Sequence, residues 1–270
     1  MKGDRDNIMN LYEEVTNKIL KKLEKGIVPW EQNFISLQKG AYNRVSKKQY
    51  SLLNQVCLNY SGEYATYKQW TDLGGKIQKG AKGEHIVFWN MKKITEKNEK
   101  DEEVEKFIPI LKYHTVFHIS QVDGVTSELD NKNDDIEEAD ETISDYIFKN
   151  GIVIDENNNN DEYYDESLKT IHIPLKKQFL TSEDYYHSIF LQCVNSTKNK
   201  LNRNEKDFAE KLIDEIGTMA IMNTLSLNGE NIKSKKDNDI TTIIDEMKKN
   251  SKFIVSVIGK AEKAAKYVMD

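Results

Sequence analysis

The sequence predicts an α+β chain in two domains, on three observations. Helical stripes and period-two strands alternate in the first half, helices dominate the second, and the charge changes sign between them. Residues 1–127 hold 20 Lys/Arg against 16 Asp/Glu and the remainder 19 against 29, so a balance of +4 precedes one of −10 within a net charge of −6. The acidic, polar run 126–138 (TSELDNKNDDIEE) is the expected linker, between domains 1–125 and 139–270. A basic front and an acidic back point to different partners for the two.

Length and composition bound the rest. A chain of 270 residues with 38% hydrophobic and 9% aromatic residues can build real cores, which excludes a disordered chain. No apolar run approaches the roughly 18–20 residues of a membrane span. The opening MKGDRDNIMN lacks the apolar region of a signal peptide, so a cytoplasmic protein with no membrane partner is expected. Cys57 and Cys193 stand far apart with no C-x-x-C pairing and read as small core residues.

The elements follow in order. Ile8, Leu11, Val15, Ile19 and Leu23 recur three or four apart, the buried stripe of a helix over 8–25. Gly26 can end it in the left-handed conformation and Pro29 prevents its return, leaving Trp30 and Phe34 to fold back as an aromatic lid. A polar turn through Arg44, Lys47 and Lys48 precedes a short helix over Leu52–Tyr60. Thr66–Leu73 reads as a third helix closed by Gly74-Gly75, and His85–Met91 as an apolar strand. Thr95–Lys106 is expected to be an exposed, highly charged connection. Leu111, Tyr113, Thr115, Phe117 and Ile119 alternate along a returning strand of period two over Phe107–Ile119.

Beyond the linker, a helix over Ile143–Phe148 leads to strands at Ile152–Ile154 and Ile171–Ile173, with a turn at Asn157–Asn160 between them. Thr181/Ser182 can cap a helix carrying Tyr186, Phe190, Cys193 and Val194. Asn204 can cap another carrying Phe208, Leu212, Ile216, Met219 and Ala220. The tail Ile240–Met269 has no proline and is expected to be helical throughout.

Chemistry concentrates in 42–89. Single-stranded nucleic acid is held by a cationic groove with aromatic platforms, each stacked base worth about 1–3 kcal/mol. Arg44, Lys47, Lys48, Lys68, Lys76, Lys79 and Lys82 alternate here with Tyr42, Tyr50, Tyr67, Trp70 and Trp89. Gly80 and Gly83 would let backbone N–H groups approach a phosphate. The candidate binding residues are therefore Arg44, Lys47, Lys48, Tyr50, Tyr67, Lys68, Trp70, Lys76, Lys79 and Lys82. Phe88 and Trp89 themselves read as core. The partner this surface fits is single-stranded DNA, gripped without sequence preference.

Four ordered groups of residues carry a family resemblance. They are Tyr12–Gly26 with Pro29-Trp30, then Asn43…Ser46-Lys47…Tyr50…Asn54. Next comes Thr66-Tyr67-Lys68-Gln69…Gly74-Gly75…Lys79-Gly80…Gly83…Val87-Phe88-Trp89, and last Tyr113-His114-Thr115-Val116-Phe117…Gln121…Asp123-Gly124. Over 11–125 this pattern resembles the N-terminal domain of the ArdC antirestriction family. The resemblance implies a single-stranded DNA-binding domain carried by conjugative elements and phages. An antirestriction role would consist of covering incoming single strands or occluding a restriction enzyme.

The family's C-terminal domain is a zincin-like metallopeptidase domain, and the resemblance continues through Tyr163-Tyr164, Thr170–Pro174, Leu201-Asn202-Arg203, Leu212–Gly217 and Ala261–Tyr267. Its helical H-E-x-x-H sets two zinc-binding histidines on one face and a glutamate as general base. In that register stand Leu191, Gln192, Cys193, Val194 and Asn195, and the further ligand position falls on Lys211, while Glu215 survives. Leucine cannot coordinate, a neutral amide cannot accept the proton, and an ammonium repels a dication. The expectation is a dead metallopeptidase domain with no catalytic residue, metal or cofactor, serving as scaffold or as a contact surface for a protein partner. His114 and His118, four apart on a strand, sit ~13 Å apart, too far to chelate together. Two alternatives stay open: an active metallohydrolase with a rearranged site, and an interaction module without DNA binding.

Overall fold

The computed structural model describes residues 2–33, 35–97, 103–128, 136–159, 161–227 and 240–270. The chain is α+β.

Helix α1 (Lys2–Leu23) buries Val15, Ile19 and Leu23 as the stripe requires; the side chains of Ile8 and Leu11 lie outside the described residues. Gly26 ends it at φ +74, and the Ile27 amide returns to the Lys22 carbonyl at 3.0 Å. Pro29 opens a 3₁₀ turn (Pro29–Glu31) that buries Trp30; Phe34 is outside the described residues. Strand β1 (Tyr42–Asn43) leads to α2 (Leu52–Cys57), capped by Ser51 and shorter than expected, with all six residues buried. Lys22 Nζ donates to the Val56 and Leu58 carbonyls at 3.0 and 2.6 Å, satisfying acceptors freed at the end of α2.

Strand β2 (Glu63–Ala65), α3 (Tyr67–Asp72) and β3 (Lys76–Ile77) follow. Thr66 and Gln69 form a reciprocal capping box on α3. Strands β4 (Glu84–Lys97) and β5 (Glu103–His118) pair antiparallel from Glu84↔Val116 out to Lys97↔Glu103. The expected exposed hairpin connection over 95–106 is paired in the ladder at 95–97 and 103–106, since charged composition does not prevent backbone pairing. Strand β6 (Val122–Asp123) pairs with β3, and the main sheet has the order β1-β2-β5-β4.

Strand β5 includes the expected period-two run, and both of its faces carry packing: Val116 joins Tyr50, Tyr64 and Ile86, and Phe117 packs with Trp70 and Val122, while Tyr113 and Thr115 are exposed.

Helix α4 (Ile136–Asn150) begins before the apolar run that predicts it. Strands β7 (Val153–Asn157), β8 (Tyr163–Asp165) and β9 (Thr170–Pro174) form a sheet of order β7-β9-β8, parallel at β7/β9. Thr181 caps α5 (Ser182–Ser196), accepting from the Asp184 amide. The following α6 (Asp207–Thr224) is preceded by Lys206 rather than capped by Asn204. The tail is two helices, α7 (Ile240–Lys249) and α8 (Phe253–Met269), with a break at Asn250, whose side-chain oxygen accepts from the Lys252 amide.

One apolar cluster runs through both halves, joining Ile19, Trp30 and Leu52 to Phe190, Ile216 and Ile258. Polar contacts seal it: Thr16 Oγ1 donates to the Ser251 carbonyl at 2.6 Å, Asn223 Nδ2 to the Ile35 carbonyl at 2.9 Å, and the Leu52 amide to Glu262 at 3.0 Å. Cys57 and Cys193 are buried within it, and burial raises both thiols, Cys57 to about 11.

Candidate nucleic-acid interface

The expected binding residues divide by burial. Trp70 is fully buried, its indole N–H donating to the Phe117 carbonyl at 2.8 Å, so it anchors α3 to β5 and offers no platform to a base. Arg44 is buried between Glu63 and Glu128 in an ion-pair cluster and has no surface for a phosphate. Glu63 in turn accepts from Ser127 Oγ and the Glu128 amide at 2.8 and 2.6 Å. Tyr50 is buried in the sheet core, where desolvation raises its hydroxyl to about 12. Trp70 and Arg44 leave the expected surface, and Tyr50 keeps only 5% of its own, on the cleft beside Phe88, because sequence spacing does not reveal what packs over a side chain.

The remainder stays outside. Lys48, Lys68, Lys76, Lys79 and Lys82 are exposed, and no ion pair ties them among the described residues; Lys47 is exposed but paired with Glu128, whose carboxyl it draws down. Tyr67, next to Lys68 on α3, is 62% exposed.

A short framework sets the lysines. Asn43 Oδ1 accepts from the Val45 and Ser46 amides, holding a tight turn in which Lys47 takes a left-handed φ of +58. Asn43 Nδ2 also donates to Gln69 at 3.1 Å, linking that turn to α3. The turn carrying Lys79 and Lys82 is pinned by Gln121 Nε2, just before β6, donating to the Lys82 carbonyl and by Gln78 Nε2 donating to Asp123 of β6, at 3.0 and 2.9 Å. Gly80 supplies the φ of +87 that this turn needs. Gly83 has a packing role instead: a Cβ there would meet Thr115 Cγ2 at 2.3 Å and Phe117 Cζ at 3.0 Å.

Sequence reasoning missed the outer rings of the long hairpin. Phe88, expected in the core, is 42% exposed with its ring 5.6 Å from His114, and the side chain of Trp89 lies outside the described residues. Tyr113 is exposed with its ring 5.1 Å from His85. Ladder register places Ile86, Phe88, Lys112 and His114 on one face, a relation that neither strand shows by itself.

In the C-terminal half, α5 presents His187, Leu191 and Asn195 along one helical face. Asn195 Nδ2 donates to Asp214 at 2.9 Å, and His187 Nε2 stands 3.8 Å from Glu215. Arg203 binds Asp214 at 3.0 Å, lies 3.5 Å from Glu210 and donates to the Val194 carbonyl. Burial nonetheless pushes the Asp214 carboxyl up to about 6, against the pull of Arg203 and Asn195. Gln192 is buried, whereas Lys211 is exposed and paired with Asp207 one turn earlier. Position 211 therefore does not meet α5; Asp214 and Glu215 do.

Comparisons with known proteins agree with this architecture. Residues 9–117 match the family described as the N-terminal domain of anti-restriction factor ArdC. The fold matches crystal structures of the antirestriction ArdC protein from the R388 plasmid, with 96% of each chain covered. The metal-free form gives a TM-score of 0.74 at 24% identity and the Mn(II)-bound form 0.73 at 22%. Two Escherichia coli proteins named DNA primase TraC are each 24% identical across 80% of this chain, which spans only 23% and 17% of their lengths. An uncharacterized Sinorhizobium fredii protein, y4eC, is 26% identical over 72% of this chain and 68% of its own.

At positions 191 and 195 of α5 stand a leucine, which cannot ligate a metal, and an asparagine, and the nearby Asp214 is already engaged by Arg203 and Asn195. Among the described residues no three His, Cys, Asp or Glu side chains are grouped to hold a metal. No described helix is long and apolar enough to cross a membrane. Over residues 9–117 the chain is similar to the N-terminal domain of anti-restriction factor ArdC, and over 96% of its length it takes the fold of the R388 protein.

Proposed function

We propose that this chain is a single-stranded DNA-binding, antirestriction-type protein of a mobile element, and that its metallopeptidase-like half is catalytically dead. The observation that carries the reading is the set of exposed lysines at 48, 68, 76, 79 and 82, free of ion pairs among the described residues, beside the exposed Tyr67 and Phe88 rings. Cations without internal partners track a phosphate backbone, and exposed rings receive unstacked bases whatever their sequence. The primase and plasmid relatives support a setting in DNA transfer between cells. Residues 1–125 carry the DNA surface in this reading.

Residues 139–270 act as a zincin-like scaffold and protein-contact surface. At the positions of the ligand pair and the general base, Leu191, Asn195 and Gln192 supply neither, and Lys211 adds no ligand. Exposed Phe148, Leu168 and Leu180 offer apolar contacts to a protein partner.

Fluorescence anisotropy with matched single- and double-stranded DNA across salt concentrations tests the first half. Preferential single-strand binding that weakens with salt, by about 0.7 in log–log slope per phosphate contacted, supports it; no binding at low salt overturns it. Metal analysis with a peptide-hydrolysis assay tests the second, since stoichiometric zinc or manganese with turnover would mean an active enzyme.

A further inference from the structure

A cleft of about 360 Å³ opens on the hairpin face, lined by Lys48, Gln49, Tyr50, Ile86, Phe88 and His114 among others. Its walls are mainly apolar and aromatic: the Phe88 ring lies 6.4 Å from Tyr50 and 5.6 Å from His114, both edge-on. Two polar atoms of the lining residues are buried without a hydrogen bond of normal geometry: the Gln49 amide nitrogen, and the hydroxyl of the 5%-exposed Tyr50, which lies beside the Asn43 side chain. Buried polar groups without partners carry a cost that a ligand can relieve. Two cations flank the opening. Lys48 lines it, and Lys112 is the cross-strand partner of Phe88 on the same face; both are exposed and without an ion pair among the described residues.

We propose that this cleft takes one unstacked nucleobase of a bound single strand. An aromatic wall, a buried donor–acceptor hydroxyl with an amide donor, and exposed cations at the rim match the three parts of a nucleotide: base face, base edge and phosphate. The volume is at the small end of sites for organic ligands and accommodates one nucleotide rather than a duplex segment. A duplex keeps its bases paired and stacked, so occupancy of this cleft is a physical reason for single-strand preference. The base stacks on Phe88 with His114 against its edge, Tyr50 and Gln49 meet its polar edge, and Lys48 and Lys112 neutralise the adjoining phosphates.

This inference rests on the single-stranded DNA reading, and the experiment separates the two. The full chain is titrated with an intact oligonucleotide and with one of equal length and charge made wholly of abasic residues. Wild type is compared with Phe88→Ala, which alters an exposed ring, and with Tyr50→Phe, which removes only a hydroxyl. The expected result is a loss of about 5- to 160-fold for Phe88→Ala on the intact strand, the equivalent of one stacked base, and none on the abasic strand. Tyr50→Phe is expected to lower intact-strand affinity and leave abasic binding unchanged. Equal losses on both strands, or no loss for either variant while wild type still binds, overturn the cleft and spare the DNA reading. A wild type that binds neither strand overturns both.

Discussion

The indole N–H of Trp70 donates to the Phe117 carbonyl at 2.8 Å, tying the only turn-and-a-half of α3 to the end of β5. The ring that looked most suited to stack on a base is therefore the one that holds the lysine-bearing module on the sheet. Around it close Ala65, Val122, Ile77 and Phe117. Trp70→Phe is expected to cost about 1–3 kcal/mol, chiefly by leaving the Phe117 carbonyl unsatisfied, and Trp70→Ala about 3–5 kcal/mol. Urea unfolding at a fixed pH checks this. A Trp70→Phe protein of unchanged stability would mean that the hydrogen bond contributes nothing.

Arg44 makes a parallel case for charge. Its guanidinium faces the fully buried carboxylate of Glu63, so Arg44→Gln leaves an anion in the core without its counter-ion. The expected destabilisation is about 3–5 kcal/mol, with little change in the salt dependence of DNA binding for protein that remains folded. Denaturant midpoints and salt titrations of the same preparation read the two effects separately.

For the exposed lysines the expectation is reversed. Lys76→Glu, Lys79→Glu and Lys82→Glu combined should leave thermal stability within a few degrees of wild type, since these side chains make no ion pair among the described residues. Single-strand affinity should fall at least ~10-fold and the salt slope by up to about 2, if each lysine meets one phosphate. Unchanged affinity in the triple variant would move the interface elsewhere on the molecule.

Asp214 predicts a pH effect. Its folded carboxyl titrates at about 6, above the 3.8 of the unfolded chain, so the folded state holds the proton more tightly. The stability this group contributes is complete below about pH 4 and is lost as pH rises through 6, at most ~3 kcal/mol over two pH units. Asp214→Asn cannot titrate and should show a flatter stability curve between pH 4 and 6.5 by urea denaturation. Superimposable curves for the two proteins would show that Asp214 titrates alike in both states.

Local chemistry was legible in the chain alone. The Val15–Ile19–Leu23 stripe, the Gly26 stop and the Thr181 cap depend only on residues within a turn or two of each other, and the structure has all of them. The long β4–β5 ladder and the break at Asn250 were less visible. Composition over 95–106 describes solubility, whereas pairing depends on a partner strand, and the tail divides at a turn in which Asn250 accepts from the Lys252 amide.

The sequence by itself determined the α+β class, the basic front and acidic back, and the absence of imidazoles from positions 191 and 195, because these are matters of residue identity and short-range spacing. Only the tertiary structure decided which rings and charges remain available. It buried Trp70, Tyr50 and Arg44, left Tyr67, Phe88 and the lysines outside, and turned Lys211 to solvent while Asp214 and Glu215 met α5. Burial is set by residues distant in the chain. Glu63 and Glu128 cover Arg44, and Phe117 meets Trp70, contacts that exist only once strand register and helix packing have brought those partners together.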